Sequence, residues 1–534
     1  MFQSEYSSMA NDPESVEPFS GSASVVVDAA KFNDLMSLRA ARLLAFCQYL
    51  RRQDSPVGMN RLLVSFISGE VSLLEELLDA YGARNNKDWH FFRTLIGGTK
   101  AFSAVAFELL HLLHTYKRYP NLPDKTVFAQ STTEALEAVT QILSCQLDLL
   151  LDQAINLGIS LPHTSQFHAP FYGEDLPEGT LPRNRQSSHI VTATQRIVHL
   201  ATVFLNLAAR GNFLDKAARA EKIEGLIPEA LNEEVLMQLE YNFHSLQSLY
   251  DTYVFDSTTE VSDPDLKTMR GHISIIYHLL EVSTQTVHFY ERHMVAYNTG
   301  LLSSGVCPGT QHQHIVRLIK YAVGTTGKYL VSGRGLCRTM LRRYAEIASV
   351  EVPIPSYRGF HVRPSTLVAK IVQHYGSEVT MTMDEDSYDA GSPLDLFRAN
   401  EHITALKRRR VGEALAKIPG FDEKPVPESD FSALLRKTVF ELAGQSIIFI
   451  YQRPLQLDEV SADTSRTLHE IMFKEIIKLL GAGKIDIEMK KLATFTGDKR
   501  VLNDLTVLAT NGYCEDSFGN NIPIPSELGY LKRS

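Results

Sequence analysis

The chain is poor in cysteine. Five of its 534 residues are Cys (Cys47, Cys145, Cys307, Cys337 and Cys514), an odd number, widely scattered and without a C-x-x-C pair. This argues against a disulfide framework and fits thiols buried as small apolar groups in a reducing compartment. Excess basic charge is absent too. The formal net charge is −9 and the sequence pI about 6.1, so no general nucleic-acid-binding role is expected. No apolar run reads as long enough to span a bilayer, and the best candidate, Ser446 to Tyr451, is strand-sized. Met1 to Val27 is rich in Ser and acidic residues and lacks the basic start and apolar run of a secretory signal. Together these absences predict a cytoplasmic protein with no membrane insertion.

A folded chain is what remains. Its hydrophobic fraction of 44% and charged fraction of 22% are ordinary for globular proteins, and its length predicts two or three domains. Residues 1–30 read as a disordered N-terminal segment. From 31 to 349 apolar residues recur at helical spacing. They do so over Arg39–Arg51, Arg61–Tyr81, Asp88–Tyr116, Ser188–Arg210, Glu233–Tyr253, Asp265–Tyr290 and His314–Ile347. Ser131-Thr132-Thr133-Glu134 has capping-box spacing ahead of Leu136–Leu157, and Gly158 is placed to end that helix. Strand-like alternation is nearly absent, which predicts a large all-α domain. Proline and glycine break it at Ser160–Arg185 and at Asn298–Gly309.

At Val350 the texture changes. Val352–Tyr357 is extended, Pro364–Tyr375 is helical, and Glu378–Met383 alternates like a strand. Ser392-Pro393 opens another helix, with Ser as cap and Pro at the first helical position. Ser446–Gln452 reads as a buried strand and Thr464–Leu480 as a helix closed by Gly481. This order predicts an α+β open-faced sandwich over 350–484, with an insertion near 401–444 and a C-terminal extension over 485–534.

The segment that carries chemistry is Gly359-Phe360-His361-Val362-Arg363-Pro364-Ser365-Thr366. Gly359 permits a tight turn and Pro364 opens a helix, so His361 stands where backbone N–H groups lack intrahelical partners. Those donors, the helix dipole and Arg363 make an anion site beside an imidazole. A neutral ring is a nucleophile, and positive surroundings would oppose its protonation. Ser365 and Thr366 are candidates for further hydroxyl donors to a phosphoryl group. The plain alternative is a surface histidine capping a turn, with Arg363 solvated.

These residues resemble the active-site signature of HPr, the phosphocarrier of the phosphotransferase system. The likeness continues through Leu367-Val368-Ala369-Lys370 to Ser377-Glu378-Val379-Thr380 and covers roughly Val352 to Met383. It implies a four-stranded antiparallel sheet under three helices, with His361 carrying phosphoryl on a ring nitrogen and Arg363 stabilising it. It further implies a donor protein such as enzyme I, an unidentified acceptor protein, no cofactor, and a carrier rather than a self-contained enzyme. Ser392 matches a position where some HPr proteins are regulated by serine phosphorylation, although capping alone explains a serine there. Phe360 and Val362 depart from the commoner smaller residues. The basic run Lys407-Arg408-Arg409-Arg410 and the stretch Pro419–Pro427 lie in the expected insertion.

The helical half offers a different class of function. His312-Gln313-His314-Ile315-Val316, followed by Gly324-Thr325-Thr326-Gly327, is similar to the haem-ligand helix and substrate loop of tryptophan dioxygenases. That resemblance implies haem with His312 as its axial ligand. Glu108 and His111 have the spacing of half a di-iron site; without a second half they read as core packing. Gly324–Lys328 lacks the spacing of a phosphate loop.

Overall fold

The computed structural model describes residues 26–53, 58–162, 181, 193–294, 309–418, 428–451, 454–455, 457, 467–487 and 489–532. Most of the segment read as disordered, most of Ser160–Arg185, Asn298–Pro308, Cys307 and Pro419–Pro427 lie outside the described residues. The protein is mostly helical with a small antiparallel sheet in its C-terminal part.

Contacts divide the chain into two compact units. One comprises residues 1–110, 136–177 and 293–314, and the other residues 111–135, 178–292 and 315–534. They do not follow the linear boundaries expected at 349 and 484.

In the first unit, α1 (Ala29–Arg39) starts where the Asp28 carboxylate accepts the N–H groups of Ala30 and Lys31. The chain is thus already helical at 29–30, inside the segment read as disordered. After α2 (Ala41–Arg51), α3 (Arg61–Ala80) is capped by Asn60 and buries Leu63, Val64, Ile67, Val71, Leu74 and Leu78, one stripe at helical spacing. The Phe32 ring lies between Tyr81 and Trp89, at 5.1 and 4.7 Å. Arg93 on α4 (His90–Thr115) forks onto Asp79 at 2.7 and 2.8 Å.

Helix α5 (Lys125–Asn156) runs straight through the expected capping box. Ser131, Thr132 and Thr133 turn their hydroxyls back onto the carbonyls of Val127, Phe128 and Ala129, so they sit mid-helix and cap nothing. Gly158 does follow this helix, at φ +73°. The stretch His90–Arg118 is long and apolar enough to cross a membrane, contrary to the sequence reading, but 67% of its most apolar window is buried inside the protein.

The second unit contains α6 (Ala193–Arg210), α7 (Asn212–Ala218), α8 (Glu233–Tyr253), α9 (Thr258–Ser262), α10 (Pro264–Phe289) and most of α11 (Gly309–Tyr344). Gly324 and Gly327 are helical residues of α11. A Cβ at Gly327 would stand 3.1 Å from the Asp215 backbone, so this pair lets α7 approach closely and forms no loop.

After α11 come β1 (Ile347–Pro353), α12 (Val362–Tyr375), β2 (Val379–Met383), β3 (Asp386–Asp389), α13 (Pro393–Leu415) and α14 (Glu428–Gly444). They are followed by β4 (Phe449–Ile450), α15 (Leu468–Gly481), β5 (Ile485–Asp486), β6 (Leu492–Asp498) and α16 (Lys499–Thr510). The four-stranded sheet has the order β1-β6-β2-β3, with every pair antiparallel. Val352, Val379, Met381, Met383, Ala493 and Phe495 point to one face. They meet Leu367, Val368 and Ile371 of α12, Leu396 and Ile403 of α13, and Val501, Leu502 and Leu505 of α16. Ser349, Thr380 and Thr496 point to the exposed face. The alternation of two explains a sheet covered on one side only.

Two expectations are corrected here. The run Ser446–Gln452, described as far as Tyr451, yields in that part only the two-residue β4, paired with β5 outside the main sheet. Its Ile448 belongs to a separate core with Val411, Leu435, Val439, Met472 and Ile476. The segment 485–534, read as an extension, supplies β6, which pairs with both β1 and β2, and α16. Residues distant in sequence close this sheet, so short-range periodicity did not reveal it. The added elements accordingly extend from the end of α13 to about Ile487, well beyond 444.

Of the basic run, Lys407 is buried and its Nζ lies 2.6 Å from Asp486 Oδ1. Arg408, Arg409 and Arg410 are exposed.

Candidate functional site

Strand β1 ends at Pro353, and the chain turns through Arg358 (φ +52°) and Gly359 (φ +66°) into α12. A Cβ on Gly359 would stand 2.3 Å from Asn400 Oδ1 on α13, so both the backbone angle and the space call for glycine. His361 is the N-cap residue of α12, in extended conformation, and its side chain makes no capping hydrogen bond. Pro364 has no N–H, which leaves the Val362 and Arg363 amides as the open donors of the first turn.

The imidazole is about one-fifth exposed. Its Nδ1 lies 3.1 Å from Gly359 O and its Nε2 3.2 Å from Glu515 Oε1. A carbonyl only accepts, so the first contact assigns a proton to Nδ1 and leaves Nε2 facing the carboxylate. The Tyr357 ring packs edge-on at 5.5 Å. Arg363 Nε is 4.0 Å from Glu515 Oε1. Arg363 Nε and Glu515 Oε2 are buried and have no hydrogen-bond partner among the described residues.

Burial pushes the Glu515 carboxyl above its ordinary value, against the opposing pull of His361 and Arg363. Glu515 thus adds a carboxylate beside the donors and Arg363 expected from the sequence. The nearest neighbours of the two ring nitrogens are a carbonyl and a carboxylate oxygen.

Glu515 is held by a tightly wound loop. Gly512, Tyr513 and Cys514 have φ of +60°, +57° and +60°, a run that costs energy at the two non-glycine positions. Asp516 anchors the following turn by accepting the N–H groups of Phe518 and Asn520, both at 2.8 Å. The buried Tyr513 donates to Pro353 O at 2.7 Å, and its ring meets Phe360 edge-on at 5.9 Å. Sequence reasoning missed Glu515. The Asn511-Gly512 pair announces a turn, but nothing local announces that it folds back onto His361.

The other expected residues are placed differently. Ser365 is fully buried and donates to Phe360 O at 2.8 Å, while Thr366 donates to Val362 O at 2.6 Å. The two hydroxyls thus bond backbone carbonyls at and just before the start of α12. Ser392 caps α13, its Oγ accepting the Asp395 N–H at 3.2 Å. His312 lies near the start of α11, half-buried. Glu108 is buried and its carboxyl is pushed up to about 7. The His111 ring stands 4.3 Å from His278, whose imidazole burial holds down at about 4. His272 is bonded on both ring nitrogens, to Thr268 O at 2.9 Å and Ser332 Oγ at 3.1 Å, as a core histidine.

No protein-family model, curated protein or solved structure matches this chain.

Proposed function

We propose that the chain is a phosphoryl acceptor or carrier, or a regulator controlled by phosphorylation, with phosphohistidine formed on His361 of an HPr-like module. The observation that carries this reading is the position of His361 at the N-cap of α12, with two open amides, and with Arg363 Nε 4.0 Å from the same Glu515 oxygen that faces the imidazole. A four-stranded antiparallel sheet covered by α12, α13 and α16 also supports it.

The step needs one free ring lone pair. With Nδ1–H donating to Gly359 O, the lone pair on Nε2 attacks phosphorus, and the donor's leaving group departs with the electrons of the broken bond. Glu515 must first give up its contact with Nε2. Arg363 Nε, buried and without a hydrogen-bond partner among the described residues, then has an incoming phosphoryl oxygen to donate to. The donor in this reading is a protein such as enzyme I, and the recipient a second protein.

The test is incubation of the full chain with phosphoenolpyruvate and enzyme I, followed by intact mass. The expected result is an acid-labile gain of one phosphoryl group, absent in His361→Ala. An acid-stable gain, or one that persists in His361→Ala, overturns the assignment.

A further inference from the structure

Within the second unit a cavity of about 490 Å³ lies where α11 and α6 meet the sheet layer. Helix α11 brings Arg334, Arg338 and Arg342 to its wall at four-residue spacing, and hence on one face. The carboxylates nearby are already engaged. Glu378 takes Arg342, with Nε at 3.2 Å. Asp498 takes Arg500 at 2.7 Å and the Ser377 hydroxyl at 2.7 Å. Asp389 accepts the Gly391 N–H at 2.8 Å.

Arg334 and Arg338 stand outside these pairs, although the charge of Arg338 also helps to hold the Glu378 carboxyl below its ordinary value. Neither guanidinium has a hydrogen-bond acceptor among the described residues, and Arg334 is half-buried. Both side chains line the same concave wall, one helical turn apart. Arg334 is half-buried and Arg338 exposed, so both guanidiniums keep open donors at the cavity wall, and an oxyanion entering the cavity would accept from them. Guanidinium groups one helical turn apart suit a ligand with two or more oxyanion groups.

We propose that this cavity binds a small organic polyanion, bearing phosphate or carboxylate groups, through Arg334 and Arg338. The site is independent of the chemistry assigned to His361. It does adjoin the other end of the same helix: Gln373, which lines the cavity, is twelve residues along α12 from His361, roughly 18 Å at 1.5 Å per residue.

Pyrophosphate and citrate are the probes, added to the full chain at constant ionic strength and followed by calorimetric titration and thermal melting. At least one should bind the unmodified protein and raise its melting midpoint by a few degrees. Arg334→Gln/Arg338→Gln should weaken that binding about tenfold or more, with circular dichroism unchanged. If the double variant misfolds, Arg338→Gln alone, at an exposed position, must still weaken binding several-fold. Pyrophosphate alone binding identifies a phosphate ligand, and citrate alone a polycarboxylate. Failure of both probes to bind, or equal binding by the folded variant, overturns the proposal.

Discussion

Glu515 and Gly359 determine what the His361 ring can do. The folded protein holds the Glu515 carboxyl above its unfolded value, so between the two values the native state binds more protons than the unfolded chain. Stability from this group is therefore fully present below the ordinary carboxyl range and is lost as pH rises through the folded value. Glu515→Gln should flatten that decline in urea unfolding measured across acidic to neutral pH. The same change removes a negative charge from Nε2 and should speed phosphohistidine formation by roughly tenfold, about 1.4 kcal/mol in the barrier. A slower rate would assign the carboxylate a helping role instead. Gly359→Ala forces a side chain into the left-handed region and displaces Asn400, so denaturant melts should report a loss of about 1–2 kcal/mol.

At the scale of elements, β5 and α13 are joined by the buried pair of Lys407 and Asp486. Asp486 also accepts the N–H groups of Arg358, at 2.9 Å, and Ile487, at 2.8 Å. The pair thus ties the turn that precedes His361 to the added elements. Lys407→Met leaves a buried carboxylate without its counter-charge and should cost about 3–5 kcal/mol in equilibrium unfolding. A cost near zero would mean that water reaches Asp486.

Much of this layer was legible in the sequence. Glu233–Tyr253 was read to the residue, and Asp265–Tyr290 and Arg61–Tyr81 to within one, because long amphipathic periods are strong signals. Ser392 was placed as a cap from its local pattern. The failures have a common physical origin. Ser131–Glu134 has the spacing of a cap, yet tertiary contacts extend the helix through it, and Thr132 meets the Tyr321 hydroxyl at 2.7 Å. Strand β6 and Glu515 lie well over a hundred residues from their partners β1 and His361, and only the closed fold brings them there. Lys407 reads as part of a solvated charge run until Asp486 is seen beside it.

For the molecule as a whole, the large helical part buries histidines that the chain must keep neutral. Burial holds His278 at about 4 and lowers His272 as well. The unfolded chain binds protons on these rings from about pH 6.5 downward, while the native state does not until lower pH. Stability should therefore fall as pH drops from about 6.5 towards 4, by up to about 3 kcal/mol from His278 alone. His278→Gln should make the urea midpoint less dependent on pH in that window. An unchanged slope would show that this ring is solvated.

Acceptance of a phosphoryl group by His361, as proposed, can be measured with a small donor and no partner protein. Phosphoramidate can be added to the full chain and to His361→Ala, with ³¹P spectra recorded at neutral pH. The expected result is a phosphorus–nitrogen resonance in the unmodified protein that disappears on acidification and is absent from the variant. No protein-bound resonance, or the same resonance in both, would contradict it.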